Sequence, residues 1–262
     1  MLRQRVRYLP LLLVLACPPS SFAEAASAAD DSQPSSPIAD SVTQLLLVRS
    51  RAWWASSGEL QQFERPRGGT WKSVGATVTV SLGRNGMAWG RGLHVPPAKG
   101  PIKREGDHRS PAGVYALDTA FGAASELPPA ARGFPYAQMH STSYCVEDQR
   151  SEHYNQLIDS TTVAPAGWER WSEMARPDGL FDWGIVVRQN APDTKRGAGS
   201  CVFLHIWRGP QKPTAGCTAM AKDRLLDILR WLDLEQHPML VQLPDEVFRT
   251  VQSSWGLPSV GG

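Results

Sequence analysis

Apolar and polar residues fall along this chain in short runs separated by turn residues, and helical periodicity is scarce. Residues 45–48 form an apolar run suited to a buried strand. Residues 60–64, 71–74 and 77–82 read as successive strands, with Gly68-Gly69 and Gly83 to Gly86 supplying turns. Gly106-Asp107 and Pro111-Ala112-Gly113 punctuate a loop that feeds a strand at 114–117. Residues 127–133 are a Pro/Ala-rich loop. Residues 181–189 and 201–207 carry strong strand formers, joined by a polar, Gly-containing connection over 190–200. Residues 154–160 and 168–175 are expected as short helices. Leu225, Leu229 and Leu232 share one face of a helix predicted over 222–234, where they pack. A strand at 239–243 closes the pattern, ended by Pro244. With no internal repeat, this predicts one mainly β domain over 42–250, a few short helices, and a tail over 251–262.

The N-terminus has a different pattern. Arg3, Arg5 and Arg7 precede an apolar run over 9–16, and Ser21-Phe22-Ala23 places small residues where a signal peptidase reads. The run is shorter than the ~20 residues a membrane-spanning helix needs. A signal peptide over 1–23 is therefore expected, followed by a flexible linker over 24–41, rich in Ala, Ser, Asp and Pro. The expected location is outside the cytoplasm, in the periplasm or cell envelope. Val14-Leu15-Ala16-Cys17 also loosely resembles a lipoprotein processing site, so a membrane attachment is expected only if Cys17 is lipidated. The net charge of +2 gives no argument for a nucleic-acid partner.

The cysteines then sharpen the chemistry. Of Cys17, Cys145, Cys201 and Cys217, cleavage after Ala23 leaves three, and an odd count in an exported chain implies a spare thiol. Sequence does not fix connectivity; the working expectation is a Cys145–Cys201 disulfide with Cys217 free. His205 stands in the apolar strand Phe203 to Trp207, and Pro213-Thr214-Ala215-Gly216-Cys217-Thr218 follows. A free thiol, with a pKa near ~8.5, is mostly protonated at neutral pH, and an adjacent imidazole can take its proton. Gly216 clears space beside the sulfur, and backbone N–H groups of Gly216 and Cys217 can face an oxyanion. Each signal alone is weak, because a histidine in an apolar strand or a Gly-Cys step is commonly structural. Their conjunction points to a cysteine nucleophile with a histidine base.

This stretch resembles the catalytic motif of L,D-transpeptidases of the YkuD type, which place a histidine at a strand end and then a Ser/Thr-x-Gly-Cys turn. Thr214 to Cys217 matches the turn and His205 the strand histidine. Glu105 to Tyr115 resembles the family's Gly-Asp and Ser-Pro-x-Gly segment, and Ser143 to Asn155 with Gly199 to Trp207 resemble a periplasmic subgroup. The resemblance implies a β-sandwich-like catalytic domain and a thioacyl intermediate on Cys217. It implies His205 as general base and then acid, its ring oriented by a backbone carbonyl. Thr214 and Gly216 would shape the turn and oxyanion site. It implies peptidoglycan stem peptides as substrate; a wall-anchored protein is a further candidate partner, and no cofactor or metal is expected. Ala215 and Ala219 depart from the polar residue and the Arg or Asn that many members carry there, and the His-to-Cys spacing is shorter than in many.

Around this pair, Thr218, Asp107, Arg109 and Trp207 are candidate substrate contacts, with His108 in the same loop. Trp168, Trp171 and Trp183 are candidates for a groove wall, and Arg188 and Asn190 for its border. Glu147, Asp148, Glu152 and His153 match no closed zinc spacing, and His94 and His140 suggest none either. Three functions remain open: transfer to an amine, hydrolysis of the same bond by water, and a non-enzymatic wall-binding module.

Overall fold

The computed structural model describes residues 36–260, apart from 97, 132, 165 and 166. The signal peptide, Cys17 and most of the linker expected at 24–41 lie outside the described residues. Along the chain run β1 (Gln44–Ser50), β2 (Ser57–Glu64), β3 (Lys72–Ser81), β4 (Met87–Trp89), β5 (Ser110–Gly122), β6 (Tyr136–Gln138) and β7 (Ser143–Val146). There follow β8 (Leu157–Asp159), β9 (Trp171–Glu173), β10 (Trp183–Val187), β11 (Phe203–Ile206) and β12 (Thr218–Met220). Helix α1 (Lys222–Trp231), β13 (Met239–Pro244) and helix α2 (Asp245–Val251) complete the order. The fold is mainly β, consistent with a sandwich-like architecture.

The main sheet runs β10-β11-β12-β3-β2-β1-β13-β5-β4. It closes on itself because β5 is long enough to serve both ends. Gly113 to Ala116 pair with β13, and Leu117 to Gly122 pair with β10 across a bulge. β1 lies between β2 and β13, and its Leu45 to Val48 are all at most 1% exposed, which explains a run apolar on both faces. The two strands expected at 71–74 and 77–82 are one strand, β3. Its register against β2 shifts near Gly75, whose φ of 66° suits a residue without a side chain. Helix α1 buries Leu225, Ile228 and Leu229 against β10 and β11, and it stops at Leu232, which turns extended.

Two expectations fail on the same feature. Residues 154–160 and 168–175 are not helices; they supply β8 and β9, which pair with β7 in a separate three-stranded sheet. Asn155, at φ 68°, breaks any helix there. The backbone groups of Leu157 to Asp159 and Trp171 to Glu173 find partners on β7 instead. The packed unit also reaches past Thr250. Val247, Phe248 and Val251 of α2 join Trp255 and Leu257 in the main core, so the segment expected as a tail is partly core. A second apolar cluster, including Phe121, Phe181 and Phe203, backs the region where Cys217 sits.

Candidate active site

The parallel pairing of β11 and β12 brings the two key side chains together. Leu204 opposes Thr218 and His205 opposes Ala219, so Cys217 precedes β12 diagonally across from His205. Alternation along the strands puts positions 203 and 205, with 217 and 219, on one face. Both His205 and Cys217 line a cleft of about 400 Å³, together with Thr214, Gly216 and Trp207.

His205 is 7% exposed and packs edge-on against Phe181 with ring centres 5.1 Å apart. Its Nδ1 lies 2.7 Å from the Ile206 carbonyl. A carbonyl only accepts, so Nδ1 carries the hydrogen and Nε2 keeps a free lone pair. Burial pushes the imidazole down to about 4, against a smaller opposing effect of the Ile206 bond. Burial pushes the Cys217 thiol up to about 11, opposed by the Phe203 backbone N–H. At neutral pH the resting pair is therefore uncharged, a thiol beside an imidazole. The thiol donates to the Cys201 carbonyl at 3.6 Å, so its proton reaches Nε2 only after the side chain turns.

The turn that carries Cys217 is held by two hydroxyls. Thr214 Oγ1 donates to the Cys217 carbonyl at 2.6 Å and accepts the Gly216 N–H at 3.1 Å. Ser110 Oγ donates to the same carbonyl at 2.9 Å and accepts the Gly83 N–H at 2.9 Å. Gly216 sits at φ 149°, and a Cβ there would lie 3.2 Å from the Arg109 carbonyl oxygen, so both conformation and space select glycine. The Gly216 N–H is committed to Thr214. The Cys217 N–H donates to no protein acceptor among the described residues and is the better oxyanion donor.

Several candidates from the sequence stand elsewhere. Asp107 and Arg109 do not line the cleft. Asp107 accepts from Lys103 Nζ and from the backbone of Arg104 and Arg109, and Arg109 donates to the Met87 carbonyl at 3.0 Å. They brace the loop below Gly216. Thr218 is 1% exposed and donates to Gln242, also away from the cleft. Trp168, Trp171 and Trp183 do not line it, whereas His108 does. Asn190 is buried and organises its own loop, and Arg188 pairs with Asp118. Asp148 is tied to Arg150, whereas Glu147, which accepts from Ser172, does line the cleft.

Cys145 on β7 is joined to Cys201 in a disulfide, and Cys217 carries a free thiol. The bridge links the small sheet to the residue whose carbonyl accepts from Cys217. Asn155 reinforces it, with Oδ1 accepting the Cys201 N–H at 3.0 Å. Sequence reasoning missed Asn155 and Ser110, and it missed the basic lining of the cleft, which includes Arg84, Arg208 and Lys212. The only signals were Ser110's place in the Ser-Pro-Ala-Gly segment and Arg84's place in a turn. The backbone of Arg84 donates to Thr214 at 3.0 Å, which seats the turn at Gly83 to Gly86 against the nucleophile's loop.

The chain matches the family model of the YkuD L,D-transpeptidase catalytic domain over residues 54–243. No curated protein matches it. The match takes in β2 through β13 and with them both the His205 strand and the Cys217 turn. The chain belongs to the L,D-transpeptidase family, whose catalytic domain acts on peptidoglycan.

Proposed function

We propose that the chain is an exported L,D-transpeptidase that joins stem peptides through a thioester on Cys217, in the periplasm or cell envelope. The observation that carries this reading is the shared cleft. A free thiol on a glycine-shaped turn faces the same space as an imidazole whose Nδ1 is committed, leaving Nε2 as base. His205 Nε2 takes the thiol proton as Sγ attacks the carbonyl carbon after the L-centre of an L–D bond. The Cys217 N–H receives the oxyanion. The imidazolium returns the proton to the departing amine, the C–N bond breaks, and a thioester remains. An amine from a second stem, or from a protein lysine, attacks in turn. His205 takes its proton, and the sulfur leaves as thiol.

The starting pair is neutral, so proton transfer accompanies attack rather than preceding it. Arg84, Lys103, Arg170, Arg176, Arg208 and Lys212 line the cleft against Glu105 and Glu147, a basic excess that suits the carboxylates of a stem peptide. Attachment to the membrane applies only if Cys17 is lipidated.

Incubation with a defined tetrapeptide donor and an excess of amine acceptor tests the reading. Crosslinked product that disappears in Cys217→Ala supports it. Release of the terminal D-residue with no amine adduct assigns hydrolysis instead. No turnover, with unchanged binding to peptidoglycan, assigns a binding module.

A further inference from the structure

A second groove, of about 630 Å³, lies beside the cleft and shares Lys103 with it. Its apolar lining includes Trp89, Leu93 and Ile102, the last two 47% and 60% exposed. Its charged lining includes Arg91, Arg104, Lys195 and Arg196 against one carboxylate, Asp193. Among the described residues, Arg104, Lys195 and Arg196 form no ion pair. Gathering like charges in one groove is unfavourable unless an anion neutralises them.

The groove is built rather than incidental. Asn190, 0% exposed at φ 57°, is the hub of the loop that presents Lys195 and Arg196. Its Nδ2 donates to the Lys195 and Gly199 carbonyls, and its Oδ1 accepts from the Lys195 N–H and from Arg91 Nε. Asn155 donates to the Asn190 carbonyl at 3.1 Å. One buried amide thus fixes both basic edges of the groove. His94, 9% exposed, also lines it. Its Nδ1 accepts the Val114 N–H, so Nε2 carries a hydrogen, and that buried donor has no partner among the described residues.

We propose that this groove binds a second, carboxylate-bearing stem peptide of the same polymer whose reacting stem occupies the cleft. The proposal rests on the peptidoglycan reading of the cleft. Arginine forks pair with carboxylates in a planar, bidentate way, and the apolar floor suits short peptide side chains. Because Lys103 belongs to both walls, one polymer strand can engage both sites, and the second contact is then intramolecular.

The test measures binding of the Cys217→Ala protein, which does not consume substrate, with and without Lys195→Gln/Arg196→Gln. The probes are peptidoglycan stripped of attached polymers, the same material with its stem carboxylates amidated, and a soluble single-stem fragment. The groove variant is expected to bind the polymer at least about tenfold more weakly and the single stem equally well. Amidation is expected to weaken the parent protein more than the groove variant. Equal polymer binding by both proteins overturns the proposal, as does an equal loss on the single-stem fragment. Competition by inorganic polyphosphate as effective as that by stem-peptide oligomers also overturns it, because the groove then reads charge alone. If no probe binds either protein the proposal fails, and tetrapeptide turnover by the unsubstituted protein separately decides the fate of the cleft reading.

Discussion

Replacing Ser110 with alanine removes the hydroxyl of the Ser-Pro-Ala-Gly segment that holds the nucleophile's turn. Ser110 is 0% exposed, so water does not replace it. The substitution deletes the bond to the Cys217 carbonyl and orphans the Gly83 N–H, each at 2.9 Å. The carbonyl keeps Thr214, so the larger cost is the unpaired buried donor, and the loss of stability should be about 2 kcal/mol. In Ser110→Ala/Thr214→Val the carbonyl loses both donors, and the loss should exceed the sum of the singles by about 0.5–3 kcal/mol. Positioning should suffer with stability. A displacement of Cys217 near an ångström costs on the order of a hundredfold in rate. Urea unfolding gives the first quantity, and the rate at which a carbapenem acylates Cys217 gives the second. Ser110→Thr keeps the hydroxyl and should recover most of the rate. Acylation by folded Ser110→Ala at the parent rate would refute the positioning role, and additive free energies would refute the shared-carbonyl account.

Three further outcomes follow from the same geometry. His94 and His205 are both held at about 4 by burial, below an unfolded value near 6.5. Unfolded chains therefore bind more protons between those limits, so stability should be full above pH ~6.5 and fall as pH drops towards 4, by roughly 3 kcal/mol per histidine. Acid titration of the unfolding free energy, with His94→Gln as comparison, checks this; a flat profile over that window would contradict it. Gly216→Ala places a side chain at φ 149° and 3.2 Å from the Arg109 carbonyl oxygen, a strain of about 1–3 kcal/mol, and should nearly abolish acylation while the circular dichroism spectrum stays native. The Cys145–Cys201 bridge spans 56 residues, so Cys145→Ala/Cys201→Ala should cost about 4 kcal/mol by loop-closure entropy, read by chemical denaturation.

The fold class was legible because it rests on short-range pattern. Leu45 to Val48 and Phe203 to Ile206 are apolar and strand-forming whatever lies around them. The small sheet was not legible, because Leu157, Ile158 and Trp171 offer no periodicity that separates a helix from a strand paired to β7. Helix α2 was hidden behind Pro244, which reads as a strand terminator but here begins a helix with Val247, Phe248 and Val251 facing the core. At the site, Cys217, His205 and Gly216 were readable from residue type and spacing. Asp107 and Arg109 misled, because a charge in a loop says nothing about its partner; Lys103, four residues before Asp107, neutralises it. Arg208 and Lys212 sit within the motif stretch itself, between His205 and Cys217, but Arg84 comes from a distant turn that only the fold brings to the cleft.

The chemistry proposed for the cleft depends on acylation of Cys217 with His205 as its base. Intact-protein mass spectrometry after incubation with a carbapenem tests it most directly, on the parent protein, Cys217→Ala and His205→Gln. One adduct that maps to Cys217 is expected, with none in Cys217→Ala and a greatly slowed adduct in folded His205→Gln. An unmodified parent protein, or an adduct that persists in Cys217→Ala, would contradict it.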